Sequence, residues 1–261
     1  MKSLLSVTYQ KPQLKQKAEA FSLKHSLPCT PQAETDSVLS LKFNDEYTEL
    51  CDNEKQICIH VDFLSGGLAH RQKYGGGRGQ SIAKAIGLKQ GTPPPTVLDA
   101  TAGLAKDAYV LACLGCSLTL VERSPIVAEL IHDAIERAIE DEHFQTIMQK
   151  GFSLITQSSI EYLTQFANHK DAIYPDVIYL DPMYPDKKKS ASVKKNMQIL
   201  QTLLDKDEDT QVLLNIALKV ASKRVVVKRP KGAENLTEIS PTYTVESKKT
   251  RYDVYVTPKP S

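Results

Sequence analysis

The 261-residue sequence contains no run of about 18 consecutive apolar residues, which excludes a helical membrane span. Its first residues lack the apolar core of a secretory signal. The five cysteines are odd in number and irregularly spaced, so no disulfide framework is expected. One CxxC occurs, Cys113 and Cys116 in "LACLGC", with no second pair to complete a zinc ribbon. It falls at the end of an expected helix, whereas a redox motif sits at a helix start, so apolar packing is its expected role. The G-x-G-x-x-G dinucleotide fingerprint is missing, and so are internal repeats. The net charge of +2 argues neither for nor against nucleic acid as a partner. These absences point to a protein of the reducing cytoplasm, with no membrane and no metal among its partners.

The chain has 41% hydrophobic residues, enough to bury the core of an α/β domain with an appendage. Residues 1–36 are polar and show no clear periodicity. "SVLSLKF" (37–43) and "QICIHVDF" (56–63) alternate as strands do, Ile57, Ile59, Val61 and Phe63 sharing a face. They predict a small α/β appendage. "GQSIAKAIGL" reads as a short helix inside a Gly- and Pro-punctuated stretch, and "TPPP" as a stiff hinge. The expected division is residues 1–92, appendage and Gly-rich connecting loop, and residues 93–261, the main domain.

Beyond Pro95 strands and helices alternate. Strands are expected at 96–103, 117–123, 152–159, 176–185 and 223–230, with a closing hairpin at 243–257. "SPIVAELIHDAIERAIED" opens as a helix with Ser124 as N-cap and Pro125 at the first helical position. "KNMQILQTLL" and "QVLLNIALKVA" also read as helices. Regular βαβ alternation predicts a doubly wound, mostly parallel sheet, and the hairpin adds an antiparallel edge.

In such sheets ligands bind beyond the carboxyl ends of the strands. The first end, "LDATAGLAKD", sets Asp99 before a turn of small residues around Gly103, open to close approach by a ligand or equally suited to tight strand–helix packing. The second, "LVER", puts Glu122 where Rossmann-type sheets hold a ribose, because a carboxylate accepts from both sugar hydroxyls. The third offers Ser158 and Ser159, for an adenine edge or a helix cap. The fourth, "VIYLDPMYP", joins Asp181, two prolines and Tyr184. Asp-Pro-x-Tyr resembles the (Asp/Asn)-Pro-Pro-(Tyr/Phe) loop of enzymes that methylate exocyclic amino groups of bases. An aromatic amine is a weak nucleophile, its lone pair delocalised into the ring. An acceptor such as Asp181 holds its N–H groups, prolines stiffen the loop, and Tyr184 offers a face for an extruded base. Lys187, Lys188, Lys189, Lys194 and Lys195 flank this loop. Lys223, Arg224, Lys228, Arg229 and Lys231 bracket the fifth strand, and Lys248, Lys249 and Arg251 lie in the hairpin. On one face they would form a phosphate-binding rim. "HRQKYGGGRG" adds Arg71, Lys73 and Arg78 on a loop that reads as lid, RNA contact or linker.

Together "LDATAGLAKDAYVLA", "LVER", the Ser pair, "VIYLDPMYP" with its trailing lysines, and "KRVVVKRP" resemble the ribosomal RNA small subunit methyltransferase J family. The resemblance is dense from about Leu64 to Val256. It implies a Rossmann-like class I methyltransferase that uses S-adenosylmethionine to methylate the N2 amine of a guanine in 16S rRNA, as free RNA or in the small ribosomal subunit. It implies cofactor contacts from Lys106 and Asp107, from Glu122 and Arg123, from Ser158 and Ser159, and from Asp181 at the cofactor–substrate junction. Lys187, Lys188, Lys189, Lys194, Lys195, Lys228 and Arg229 would then hold the RNA. The family commonly has Gly-Leu-Gly-Arg-Asp where this chain has "GLAKD", so Ala105 replaces a glycine and Lys106 an arginine, which loses the guanidinium fork. Rival readings are a methyltransferase for DNA adenine or another amine, an NAD-linked oxidoreductase, and an RNA-binding protein without catalysis.

Overall fold

The computed structural model describes residues 3–65, 77–168, 173–183, 195–204 and 209–258. By their contacts these fall into two compact units that interleave along the chain. The first unit comprises residues 1–62, 124–137 and 185–206, and the second 63–123, 138–184 and 207–261.

The first unit is built on a five-stranded sheet of order β2-β1-β3-β4-β5. Its strands are β1 (Leu5–Tyr9), β2 (Cys29–Pro31), β3 (Leu39–Phe43), β4 (Thr48–Asp52) and β5 (Ile57–Ile59). β1 runs parallel to β2 and β3, and the β3–β4–β5 meander is antiparallel. Four of its elements were not expected, namely β1, the helix α1 (Lys15–His25) and β2 in the polar first 36 residues, and β4 beyond them. The reason is physical: α1 buries only Ala18 and Ser22, so its sequence carries almost no apolar stripe. Register corrects the reading of the cysteines as well. Cys51 and Cys58 are opposite one another across β4–β5 and form a disulfide, which spacing alone could not reveal.

This unit also takes in most of α4 (Pro125–Ala138) and α7 (Lys195–Leu203), the latter packed on β4 and β5. Ser124 caps α4 as expected, its Oγ accepting from Val127 N at 3.4 Å. Asp133 ties α4 to the sheet, accepting from Thr48 Oγ1 at 3.0 Å and from Arg137 Nε at 2.8 Å. The helix expected to run to Asp141 ends at Ala138. Asp141 instead caps an unforeseen helix, α5 (Glu142–Lys150), by accepting from Phe144 N at 2.9 Å, an arrangement that stabilises a helix by about 1 kcal/mol.

The second unit holds a seven-stranded sheet of order β11-β12-β10-β9-β6-β7-β8. Its strands are β6 (Thr96–Asp99), β7 (Ser117–Glu122), β8 (Phe152–Thr156), β9 (Val177–Leu180), β10 (Arg224–Pro230), β11 (Tyr243–Glu246) and β12 (Thr250–Val256). The first five are parallel, and the hairpin β11–β12 adds the antiparallel edge. The order reverses between β6 and β9, the switch point at which such sheets bind ligands. Helices α2 (Ser81–Ala85), α3 (Lys106–Cys113), α5, α6 (Ser159–Asn168) and α8 (Thr210–Val220) belong to this unit.

Alternation along β9 and β10 decides what each face does. Ile178, Leu180, Val225 and Val227 enter a core with Leu163, Leu213, Leu214 and Ala217. Burying each such side chain contributes about 1.5–3 kcal/mol. A second cluster stacks Phe63 on Tyr109 and Phe144, ring centroids 4.8 and 5.6 Å apart, with Phe152 edge-on. Phe63 is therefore anchored in the second unit, which by its contacts begins with this residue. Among the described residues, no helix is long and apolar enough to cross a membrane.

Candidate active site

The turn that follows β6 is the hub of the site, and each of its neighbours pins it. Asp99 Oδ1 accepts from Thr101 N at 3.1 Å. The Thr101 hydroxyl accepts from the backbone N–H of Asp181 at 2.6 Å, joining this turn to the end of β9. Glu122 Oε2, at the end of β7, accepts from Gly103 N at 2.9 Å. Ser159, opening α6, donates to the Ala100 carbonyl at 2.6 Å. Gly103 has φ +52°, and among the described residues a Cβ there would meet only the Thr101 carbonyl oxygen, at an ordinary contact distance of 3.8 Å, so the turn is not crowded by them. Ala105 also adopts a left-handed conformation, φ 54°, just before α3. Glycine reaches this region without the steric cost an alanine carries.

On the other side of β6 the groups are charged. Lys228 Nζ donates to Asp107 Oδ2 at 2.8 Å and to Asp181 Oδ2 at 2.7 Å. Tyr179 donates its hydroxyl to the same Asp107 oxygen at 2.8 Å. Asp99, Tyr179 and Lys228 share the sheet face opposite the aliphatic core, as the β6–β9–β10 register requires. Burial pushes the Asp99 carboxyl up to about 8, with Thr101 N–H opposing and Asp107, Asp181 and Glu122 adding to the rise. Asp181 is raised as well, by burial first, while Lys228 pulls it down and Asp107 pushes it up. Burial lowers Lys228, but the carboxylates of Asp181 and Asp107 outweigh it and hold the ammonium charged. Cys113 and Cys116 are pushed up to about 11 and about 12 by burial, consistent with packing and not with reactivity.

Asp99, Gly103, Asp107, Glu122, Ser159 and Asp181 thus come together around the strand ends. Lys106 is exposed at the first position of α3. Arg123 is exposed and donates to Asp209 at 3.4 Å. The Ser158 carbonyl accepts from Tyr162 N, the first bond of α6. Two residues expected on the RNA rim are elsewhere. Lys228 turns inward to the carboxylates. Arg229 points to the opposite face, only 4% exposed, and donates to the Glu234 carbonyl at 2.8 Å, so no phosphate can reach it. Lys223 and Lys231 pair with Asp176 and Glu246, Arg224 donates to Tyr243 Oη, and Arg251 holds the buried Asp253. Arg78 donates to the Lys89 carbonyl. Lys248 and Lys249 remain exposed on the hairpin turn. Tyr184, Lys187, Lys188, Lys189, Lys194, Arg71 and Lys73 lie outside the described residues, and so does the Lys195 side chain. Thr101 and Tyr179 are site residues that the strand pattern did not single out, although a hydroxyl inside the apolar run "VIYL" needs a partner.

Sheet order, the carboxylate at the end of β7 and the turn after β6 are those of a Rossmann-like fold that takes an adenosine-type ligand, and its relatives make it a class I S-adenosylmethionine-dependent methyltransferase. Comparison with known proteins agrees: a family profile described as SAM-dependent methyltransferase matches residues 21–257. A solved SAM-dependent methyltransferase from Neisseria gonorrhoeae is 32% identical, covers 96% of each chain and superposes with a TM-score of 0.74. More particularly, the chain belongs to the ribosomal RNA small subunit methyltransferase J family. It is 48% identical to the Shewanella piezotolerans protein of that name, over 95% of this chain and 88% of the relative. It is 45% identical to the Aliivibrio fischeri protein of the same name, over 97% of each.

The residues present fit S-adenosylmethionine. Glu122 is an acceptor suited to vicinal sugar hydroxyls, its carboxylate oriented by Gly103 N–H, and the turn beside it leaves room for a ligand against the backbone.

Proposed function

We propose that this protein methylates the exocyclic N2 amine of a guanine in 16S rRNA, as free RNA or within the small ribosomal subunit, in the cytoplasm. Its relatives are named for small-subunit ribosomal RNA. The observation that carries the chemistry is the Asp181 carboxylate at the end of β9, its backbone N–H on Thr101 and its side chain on Lys228. Residues 93–261 hold every cofactor and catalytic residue of this reading.

Glu122 takes the ribose, and Asp99, Gly103, Lys106, Asp107, Arg123 and Ser158 line the rest of the cofactor's place. Ser159 acts indirectly, since its hydroxyl is committed to the Ala100 carbonyl and shapes the turn. When bound, S-adenosylmethionine would supply an electrophilic methyl group to the amine nitrogen and keep the electron pair of the broken carbon–sulfur bond on sulfur, leaving the nitrogen one proton to shed. Asp181 accepts hydrogen bonds from the amine, aims its lone pair and stands ready for that proton. Tyr184 stacks on the extruded base. The RNA backbone is held by Lys187, Lys188, Lys189, Lys194 and Lys195.

The test is to incubate the protein with methyl-labelled cofactor and unmodified small subunits or naked 16S rRNA, then digest the RNA to nucleosides. Label should appear in N2-methylguanosine. Label in N6-methyladenosine, or none in either RNA, would refute the proposal.

A further inference from the structure

The geometry points to Lys228 as a positioning residue for methyl transfer, its ammonium bridging Asp107 and Asp181 so that the Asp181 carboxylate stays ionised and aimed at the exocyclic amine. This inference rests on the reading of Asp181 as the amine's acceptor.

Lys228 is not built as a surface contact. Its side chain is 28% exposed, and two of the ammonium's three donors are spent at 2.8 and 2.7 Å on two different carboxylates. It comes from β10, Asp107 from α3 and Asp181 from the end of β9, so three elements converge on one charge. The chain of contacts has a direction. Tyr179 fixes Asp107, Asp107 fixes one side of the ammonium, and the ammonium holds one oxygen of Asp181. Thr101 holds the Asp181 backbone. That leaves Asp181 oriented from two sides.

The need for a cation follows from what else faces Asp181. Asp107, Asp99 and beyond it Glu122 are acids, and Tyr179 and Tyr252 are the other titratable groups of this face. Among these described groups, Lys228 alone is cationic. Acids crowded in a half-buried site retain protons. A protonated Asp181 would present an O–H and surrender acceptor capacity that the amine requires. Burial and Asp107 both push Asp181 in that direction, and Lys228 opposes them.

The test compares wild type, Lys228→Met and Lys228→Arg in methyl transfer to the small-subunit RNA across pH, with cofactor affinity measured by calorimetry and folding by thermal unfolding. In Lys228→Met the acid limb of kcat/KM should rise by about one pH unit or more. Its kcat at neutral pH should fall about tenfold and recover toward alkaline pH, while cofactor affinity and the RNA KM change less than about threefold. Lys228→Arg should keep the wild-type limb. The limb is a ratio within one variant, so it does not depend on how much of that variant folds. If Lys228→Met does not fold, the limb of Lys228→Arg against wild type decides, and a shift to higher pH there overturns the assignment. An unmoved limb in Lys228→Met overturns it too, as does a loss confined to the RNA KM that grows with salt, which would make Lys228 a phosphate contact. Asp181→Ala, run in parallel, separates the two layers. Full activity there overturns the reading of the site, whereas an inactive Asp181→Ala beside an unmoved Lys228→Met limb overturns only the role of Lys228.

Discussion

On one flank of β6, Glu122 and Ser159 meet backbone groups, the Gly103 N–H and the Ala100 carbonyl. On the other flank, Asp181, Asp107 and Lys228 meet one another, with Tyr179 behind them. The first arrangement is a mould. In each contact one partner belongs to the main chain, so its shape is set by the turn. The second is a balance of charges, in which each carboxyl's ionisation depends on its neighbours. On the proposed reading the difference is a division of labour: the cofactor is held beside a turn of fixed shape, while the reacting amine is met by groups that can accept a proton.

That comparison can be broken at several points. Asp181→Ala should cut methyl transfer at saturating substrates by at least about 100-fold, measured with labelled cofactor. On the mould side, Glu122→Gln should raise the cofactor Kd by about tenfold, since an amide accepts less well from two sugar hydroxyls. Calorimetry would show it.

A third prediction concerns pH. Asp99 is raised from an ordinary 3.8 to about 8, so the folded protein keeps a proton there that the unfolded chain releases. Its contribution to stability is present in full below the unfolded pKa and is lost as pH rises through the folded one. Unfolding free energy should therefore fall from about pH 4 to about pH 8, by at most about 1.4 kcal/mol per pH unit from this group. Asp99→Asn should flatten that slope in denaturant titrations. The smallest effect belongs to the turn: Ala105→Gly should relieve the left-handed alanine and raise stability by about 0.5 kcal/mol or less, after the entropy glycine adds to the unfolded chain.

What was legible in the sequence follows the same division. The parallel sheet, Glu122, Asp181 and the closing hairpin could be read because each strand is a dense apolar run ending in a polar residue. The Ser124 cap could be read because capping is local. Lys228 and Arg229 could not be told apart, although one is a site residue and the other a buried structural one. Their difference lies in alternation on β10 and in a contact 47 positions away, to Asp181. Nor could the Cys51–Cys58 pairing be read, since it needs the β4–β5 register. The first unit was the least legible part. Its α1 buries only two small residues, and it gathers chain from three separate stretches.

The most direct test of the division of labour pairs two measurements on the same two variants, cofactor affinity by calorimetry and the single-turnover rate of methyl transfer with cofactor and RNA saturating. Glu122→Gln should bind the cofactor about tenfold more weakly and yet transfer within about threefold of wild type, while Asp181→Ala should bind within about tenfold of wild type and transfer at least about 100-fold more slowly. An Asp181→Ala that transfers at the wild-type rate, or a Glu122→Gln that loses rate and keeps affinity, would contradict it.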